Sequence, residues 1–402
     1  MKVTLTLGSQ ACQRHLALTL LRRGMLSRVL SFGVELEILD PDDANALKLV
    51  RRYRHYRLAK RILCAAWRRL PGARYYYRHF PVVLSITYAD WLLSRQLPAS
   101  DIFHGFSALS LAGLRAAKRN GAVTMIENPT MHPRDWQKIV LEECEAFGIR
   151  PSECRTLLPP ALIRRMEEEY EICDFIVVPS AVARDSFSHA GYSAKALVVN
   201  AGIDHHFFKP SALPASREIF RVCYTGRVEL AKGVVYLLQA WKQLGLKNAE
   251  LVLIGEVAPE MKSLIHQYAT PNVTFTGFLP PNRVADWYRD SDVFAFPSVN
   301  EGLARVLLEA MAAGLPVVAT RSSGAEDCVT PGEDGTIVPA RDAGALAEAL
   351  LWHSQNREAR EAMGKAARAK IEARFTVSKY EERMIRIYNS SIQPGSDIKV
   401  PD

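Results

Sequence analysis

Four side chains in the second half of this 402-residue chain have the charge and spacing to hold a polyanion and a polyol at one place. Gly226-Arg227 follows a β-rich run, and Lys232-Gly233 comes five residues after the arginine, at the head of the next helical pattern. Two cations beside the orphan N–H groups of a helix start suit a diphosphate, because charge-assisted hydrogen bonds and the helix dipole act on the same oxygens. Taken alone, the same residues also fit two exposed charges flanking a turn. Further on, Glu301-Gly302 stands between an apolar run ending at Pro297 and a helical pattern over 303–313. A carboxylate at such a strand-to-helix junction accepts hydrogen bonds from sugar hydroxyls, and the amides after it receive a phosphate. Glu309, about two turns deeper, is spaced to accept from the two hydroxyls of a ribose. Either glutamate by itself reads more simply as a solvated helix charge.

Such residues work only if strands and helix starts bring them together. The length exceeds what one core supports, so two domains are expected. Short β-rich runs alternate with helical patterns, which predicts an α/β class with parallel, doubly wound sheets whose ligands sit beyond the carboxyl ends of the strands. Strands are predicted over 2–7, 34–39, 82–86, 101–104, 122–126, 174–178 and 195–199, then over 220–225, 250–254, 273–275, 293–297, 316–320 and 335–338. Helices are predicted over 13–23 and 107–120, the latter closed by Gly121 as a C-terminal cap. Residues 130–170 are too long for a normal crossover and are split by Pro151 and Pro159-Pro160, so they read as a helical insertion beside the cleft. Two prolines and small residues over 207–216 mark a linker, and the tail from Ser390 is polar and expected to be disordered.

The segment from Pro297 to Val318 closely resembles the E-x7-E segment of retaining glycosyltransferase family 4, with Glu301 and Glu309 as its two acids. Other segments resemble the family in the same order: Gly226-Arg227 with Lys232-Gly233, Gly277-Phe278-Leu279, Pro179-Ser180, and Gly202-Ile203-Asp204. The resemblance runs from about Asp101 to Tyr388 and is strongest after Asp174. It implies a GT-B fold, two Rossmann-like domains facing a central cleft, with a first domain over 1–210, a donor domain over 216–374, and a last segment, 375–402, whose helix crosses back to the first domain. It also implies transfer of a sugar from a UDP-, GDP- or ADP-sugar, with retention, to a glycan or lipid-linked acceptor, without an obligatory metal or other cofactor. By the motif match, Arg227 and Lys232 stabilise the diphosphate, Glu301 orients donor hydroxyls and Glu309 holds the ribose. Gly226, Gly302 and the amides of Ala304, Arg305 and Val306 add phosphate contacts, and Gly277, Phe278 and Leu279 edge the base. The growing negative charge on the leaving diphosphate is what such cations and amides stabilise. The resemblance favours acceptor attack on the departing side, which spacing does not establish.

Some positions depart from the family. His104 matches a histidine common at that strand end and is expected to contact donor, though a hydrogen-bonded structural histidine fits as well. The next strand end carries Glu127-Asn128 where a histidine is common, so Asn128 is expected on the wall beside the sugar. Gly8 must serve where the family has Gly-Gly, since Ser9-Gln10-Ala11-Cys12 follows. Glu301-Gly302-Leu303-Ala304 replaces E-G-F-G, and Ala201 an asparagine. His132, Glu142 and Glu143 read as a solvated helix face more readily than as an acceptor cleft, and His205-His206 has no companion ligands at metal spacing.

Between Leu47 and Phe80 stand eleven Lys or Arg and no acid, against a chain total of +8, leaving −3 for the rest. A helical reading of residues 49–67 sets Arg51, Arg54, Arg57 and Arg61 beside aromatic residues including Trp67, which predicts docking on an anionic membrane surface. No run approaches a membrane span, and the N-terminus reads as a strand, not a leader, which places the chain in the cytoplasm, peripheral at the inner face of the cell membrane. Seven scattered cysteines without C-x-x-C are expected as free thiols. Bacterial surface polysaccharide or glycolipid synthesis is the expected setting. The competing readings are a GT-B hydrolase or epimerase of nucleotide sugars and, more remotely, a protein using the basic segment on nucleic acid.

Overall fold

The computed structural model describes residues 1–8, 11–31, 49–52, 80–154, 156–211 and 219–393, together with Ile62 and Ala65. The first half contains β1 (Val3–Leu7), α1 (Ala11–Arg22), β2 (Leu26–Ser31), β3 (Val50–Arg52), α2 (Phe80–Ser94), β4 (Ile102–Phe106), α3 (Leu111–Arg119), β5 (Val123–Glu127), α4 (Pro133–Ala146), α5 (Pro160–Ile172), β6 (Phe175–Val178), α6 (Ala181–His189) and β7 (Ala196–Val198). Its strands form one parallel sheet in the order β3-β2-β1-β4-β5-β6-β7. Every residue of β1 and of β4 is buried, as expected of strands covered by helices on both faces.

The second half contains β8 (Phe220–Thr225), α7 (Val234–Leu244), β9 (Ala249–Ile254), α8 (Lys262–Tyr268), β10 (Val273–Gly277), α9 (Pro281–Arg289), β11 (Val293–Phe296), α10 (Arg305–Ala312), β12 (Val317–Thr320), β13 (Gly335–Val338), α11 (Ala343–Gln355), α12 (Arg357–Arg374) and α13 (Val377–Ser391). Its sheet is also parallel, ordered β10-β9-β8-β11-β12-β13. The strand order reverses between β1 and β4 in one sheet and between β8 and β11 in the other. Those are the crevices where a doubly wound sheet admits ligand.

Two segments cross between the sheets. Tyr380, Met384, Ile387 and Tyr388 of α13 are buried in one cluster with Val3, Leu5 and Met125. Burial of side chains such as Met384 and Ile387 is worth roughly 1.5–3 kcal/mol each, so α13 is firmly docked on the first sheet. In the other direction, Val140 and Cys144 of α4, with Cys154 beyond it, sit in the core cluster of the second domain.

Several expectations are corrected. Residues 82–86 are not a strand but the first turns of α2, because a continuous apolar run carries no period that separates helix from strand. The helical reading of residues 49–67 fails at its start, where β3 pairs with β2. The strands β2 and β3 were not anticipated, and the expected strand at 34–39 lies outside the described residues. So do Arg54, Arg57, Arg61 and Trp67. The helix of α13 runs through Ser391, past the expected start of the tail. Among the described residues no helix is long and apolar enough to cross a membrane.

Candidate functional site at the interdomain cleft

The second-domain side is built on tight glycine contacts. Gly226 leaves β8 at φ +146, and a Cβ on Gly255, at the end of β9, would stand 1.9 Å from Gly226 O, so these strand ends touch backbone to backbone. Val228 and Val257 extend the pairing as a bridge beyond the strands. Arg227 is held there, 45% exposed, in an ion pair at 3.0 Å with the buried Glu229. Lys232 ends a short 3-10 turn over Leu230–Lys232. Gly233 follows at φ +62, and any side chain on it would meet Pro297 O at 2.0 Å, so glycine is required twice over.

Beyond β11, a loop over 298–304 carries Glu301 toward the same place. Thr320 Oγ1 donates to Ser298 O at 2.5 Å, Ser298 Oγ to Ala231 O at 3.2 Å, and Glu301 N to Ser322 O at 3.0 Å. Glu301 therefore precedes α10 by four residues, while Glu309 is inside it. The result is a contact of Lys232 Nζ with Glu301 Oε1 at 2.5 Å, each side chain 15% exposed. Glu309 accepts from Tyr288 OH at 3.3 Å, and burial holds its carboxyl above the usual range against the pull of Arg305 and the tyrosine. No side chain caps α10, whose first residues are Arg305 and Val306. The amide of Ala304, expected to face a phosphate, instead donates to Ser323 O at 3.2 Å. Gly277 lies at φ +70 with Phe278 74% exposed beside it, and Leu279 packs against the core.

On the first-domain side, Gly8 N donates to Gln13 Oε1 at 2.8 Å, and a Cβ on Gly8 would strike the Phe106 ring at 2.4 Å. Gln13 Nε2 donates to Glu127 Oε2 at 2.6 Å, and Tyr380 OH reaches the same oxygen at 3.4 Å. His104 is not at a strand end but inside β4, 2% exposed, with Nδ1 2.6 Å from Tyr388 OH and Nε2 3.6 Å from Glu127. Its ring is committed to α13, so the expected donor contact gives way to a structural one. Burial pushes the Glu127 carboxyl up to about 7 and the His104 imidazole down to about 4, so around pH 5.5 the two meet as neutral groups. Asn128 is likewise buried, its Nδ2 donating to Thr130 O at 2.6 Å and its Oδ1 accepting from Tyr170 OH at 3.1 Å. It braces the loop from behind, and the carbonyl of the next residue, Pro129, lies against Gly302.

The domains meet at Gly302. A Cβ there would be 2.5 Å from Pro129 O and 2.8 Å from the Pro179 ring, and Ser180 Oγ donates to Gly302 O at 2.5 Å. Asp327 accepts from Ala181 N at 3.0 Å and from Asn200 Nδ2 at 3.3 Å. The insertion is fastened independently. Glu143, 1% exposed and neither solvated nor lining a cleft, accepts from Arg341 Nε at 2.6 Å and Tyr236 OH at 3.0 Å, while Glu142 pairs with Arg341 at 2.9 Å. His132 is buried among Tyr170, Phe187 and Tyr192. Trp136, which no spacing singled out, places its ring 5.7 Å from Lys232 Nζ.

Among the described residues no three His, Cys, Asp or Glu gather as metal ligands. The cysteines at 144, 154, 173, 223 and 328 are buried thiols that form no disulfide. A cavity of about 570 Å³, bordered by Phe220, Pro316, Arg360 and Gly364, opens at the amino ends of β8 and β12, at the opposite end of the strands from Lys232.

Two parallel, doubly wound domains whose strand ends face one cleft define the GT-B fold, and this chain has it. Residues 208–370, the greater part of its second domain, match the model of the family described as glycosyl transferases group 1. The chain is 30% identical over 236 residues to the D-inositol 3-phosphate glycosyltransferase of Kribbella flavida, a match covering 52% of this chain and 55% of that protein. It is 30% identical over 178 residues to the capsular polysaccharide biosynthesis glycosyltransferase CapM of Staphylococcus aureus, covering 43% and 47%. The chain thus spans about half the length of these relatives. Among solved structures it resembles sucrose-phosphate synthase from Thermosynechococcus elongatus (TM-score 0.70, 20% identity, 97% and 98% covered) and HepE of Anabaena in complex with UDP-glucose (TM-score 0.69, 17% identity, 97% and 100% covered).

Proposed function

We propose that the protein transfers a sugar, with retention, from a nucleotide-sugar donor held by the second domain to a glycan or lipid-linked acceptor held by the first. The observation that carries this is the Lys232–Glu301 pair at the β8/β11 switch point, with the half-exposed Arg227 beside it. A cation already paired with a carboxylate in a nearly dry crevice exchanges that partner for a donor diphosphate, which frees Glu301 for a sugar hydroxyl. Arg227 and the start of α10 add charge stabilisation as the bond to the leaving diphosphate breaks. Glu309 takes the ribose, and the turn at Gly277, Phe278 and Leu279 edges the base. The donor class is supported by HepE, solved with UDP-glucose, and the setting by relatives that include a capsular polysaccharide glycosyltransferase.

The experiment is a screen of UDP-, GDP- and ADP-glucose for thermal stabilisation and slow donor hydrolysis in the wild type and in Lys232→Ala. One donor class should stabilise only the wild type. No stabilisation by any of the three, or equal stabilisation of both proteins, overturns the reading. Fast release of free sugar, undiminished by any acceptor, marks a hydrolase instead.

The acceptor is placed by this reading at an anionic membrane surface on the cytoplasmic side, met through residues 47–80. Support comes from the charge of that segment and from α2, whose Leu84, Tyr88 and Trp91 are exposed at helical spacing, with Arg95 over the Trp91 ring at 4.7 Å. Aromatic rings with a cationic neighbour suit a headgroup layer.

A further inference from the structure

We propose that Trp136, supplied by the insertion of the first domain, is a positioning residue for the Lys232–Glu301 pair of the second. The inference rests on the reading of Lys232 as a diphosphate ligand. Three contacts converge on this side chain and its backbone. The ring lies 5.7 Å from Lys232 Nζ. The carbonyl accepts from Nδ2 of the fully buried Asn300 at 3.2 Å, one residue before Glu301. The indole Nε1 donates to Thr156 O at 3.2 Å, which fixes the plane of the ring.

One residue in the first turn of α4 therefore touches both arms of the ion pair. Its ring addresses the cation, and its backbone anchors the loop that carries the carboxylate. The ring matters for chemistry because an ammonium has three donor hydrogens, and Glu301 satisfies one direction only. The negative face of an indole stabilises the ammonium from a second direction without accepting a hydrogen from it. When a diphosphate draws Lys232 away from Glu301, the ring keeps the ammonium aimed into the crevice without competing for those hydrogens. A carboxylate or carbonyl in that position would compete with the ligand.

The start of α4 is set for this purpose by local chemistry. His132 caps the helix by accepting from Arg134 N at 3.4 Å, and Pro133 occupies the first position. Farther along, Glu143 and the buried Val140 and Cys144 fix the helix to the second domain, so Trp136 is held against the donor side of the cleft although the chain reaches it from the first sheet.

The test is calorimetric titration of the full chain with inorganic pyrophosphate and with UDP, in wild type, Trp136→Phe, Trp136→Leu and Lys232→Ala, with thermal unfolding of each. Trp136→Phe keeps an aromatic face and should bind both probes within about twofold of wild type, whereas Trp136→Leu should lose about tenfold. The unfolding temperatures of these two variants should agree. Equal affinity in Phe, Leu and wild type overturns the proposal, as does an equal loss in Phe and Leu, which would mark packing alone. If Trp136→Leu does not fold, Trp136→Met carries the same comparison. Should Lys232→Ala bind as well as wild type, or wild type bind neither probe, the diphosphate site itself is wrong; a weak Lys232→Ala beside a wild-type-like Trp136→Leu removes only Trp136.

Discussion

Lys232 Nζ and Glu301 Oε1 stand 2.5 Å apart, each side chain 15% exposed, so the cation and the acid closest to the cleft neutralise one another. From spacing alone both read as open cleft residues whose loss would leave the fold untouched. With little water to replace a missing partner, Lys232→Ala and Glu301→Ala should each abolish turnover and also lower stability by about 1–3 kcal/mol. The double variant should lose less than the sum of the two. Urea unfolding of the four proteins, with donor hydrolysis alongside, measures this; near-wild-type turnover in either single variant removes its assigned role.

Gly302 packs backbone to backbone against the first domain. Gly302→Ala puts a methyl 2.5 Å from Pro129 O, against backbone that cannot rotate away. The expected outcome is a loss of about 1–3 kcal/mol and a larger radius of gyration in small-angle scattering, as the domains part. Unchanged scattering and unchanged stability would mean that the contact yields more easily than its geometry implies.

Arg341→Ala removes the charged partner of the buried Glu143. Burial already pushes that carboxyl upward, with Arg341 opposing it first and Tyr236 after it. Breaking such a pair from one side costs more than making it gains, so a loss of about 2–3 kcal/mol is expected, with much of it recovered in Arg341→Ala/Glu143→Gln. Chemical denaturation of both variants decides; equal losses in the single and double variants would show that the charge is not the cause.

Glu127 and His104 set opposing pH dependences. A buried acid raised from 4.5 to about 7 keeps its proton in the folded chain after the unfolded chain has released it, so stability falls as pH rises across that window. His104, lowered from 6.5 to about 4, refuses a proton that the unfolded chain takes up, so its contribution falls as pH drops from 6.5 to about 4. Glu127→Gln should therefore gain on wild type between pH 5 and pH 8 by up to roughly 3 kcal/mol. Thermal melts at the two pH values measure it, and parallel shifts in both proteins would refute the assignment.

Vesicles containing anionic lipid should sediment the wild type at low salt and release it at high salt. Arg51→Glu/Arg54→Glu/Arg61→Glu should not sediment, and Leu84→Ala/Trp91→Ala should sediment several-fold less. A wild type that stays in solution at low salt, or a triple variant that sediments equally, withdraws the membrane surface and with it the main support for a lipid-linked acceptor.

The alternation of strands and helices and the strand-to-helix junctions that carry Arg227, Lys232 and Glu301 are readable from the chain, because each is specified by neighbours within one element and one turn, whereas the GT-B class is implied by the family resemblance of the segment from Pro297 to Val318. A fully apolar run such as 82–86 is not, since it has no period by which to choose between strand and helix. The histidine at 104 carried the right residue type for the site and the wrong depth. Its burial beside Glu127 is decided by Tyr388, 284 positions away on α13. Trp136 and Asn300 meet across 164 positions, Glu143 and Arg341 across 198. Contacts over such separations leave no local period or spacing; they exist only once α4 has packed on the second domain. Sequence therefore named the charged groups at the two strand-to-helix junctions, and tertiary packing decided which of them are paired, which are buried, and what holds them in place.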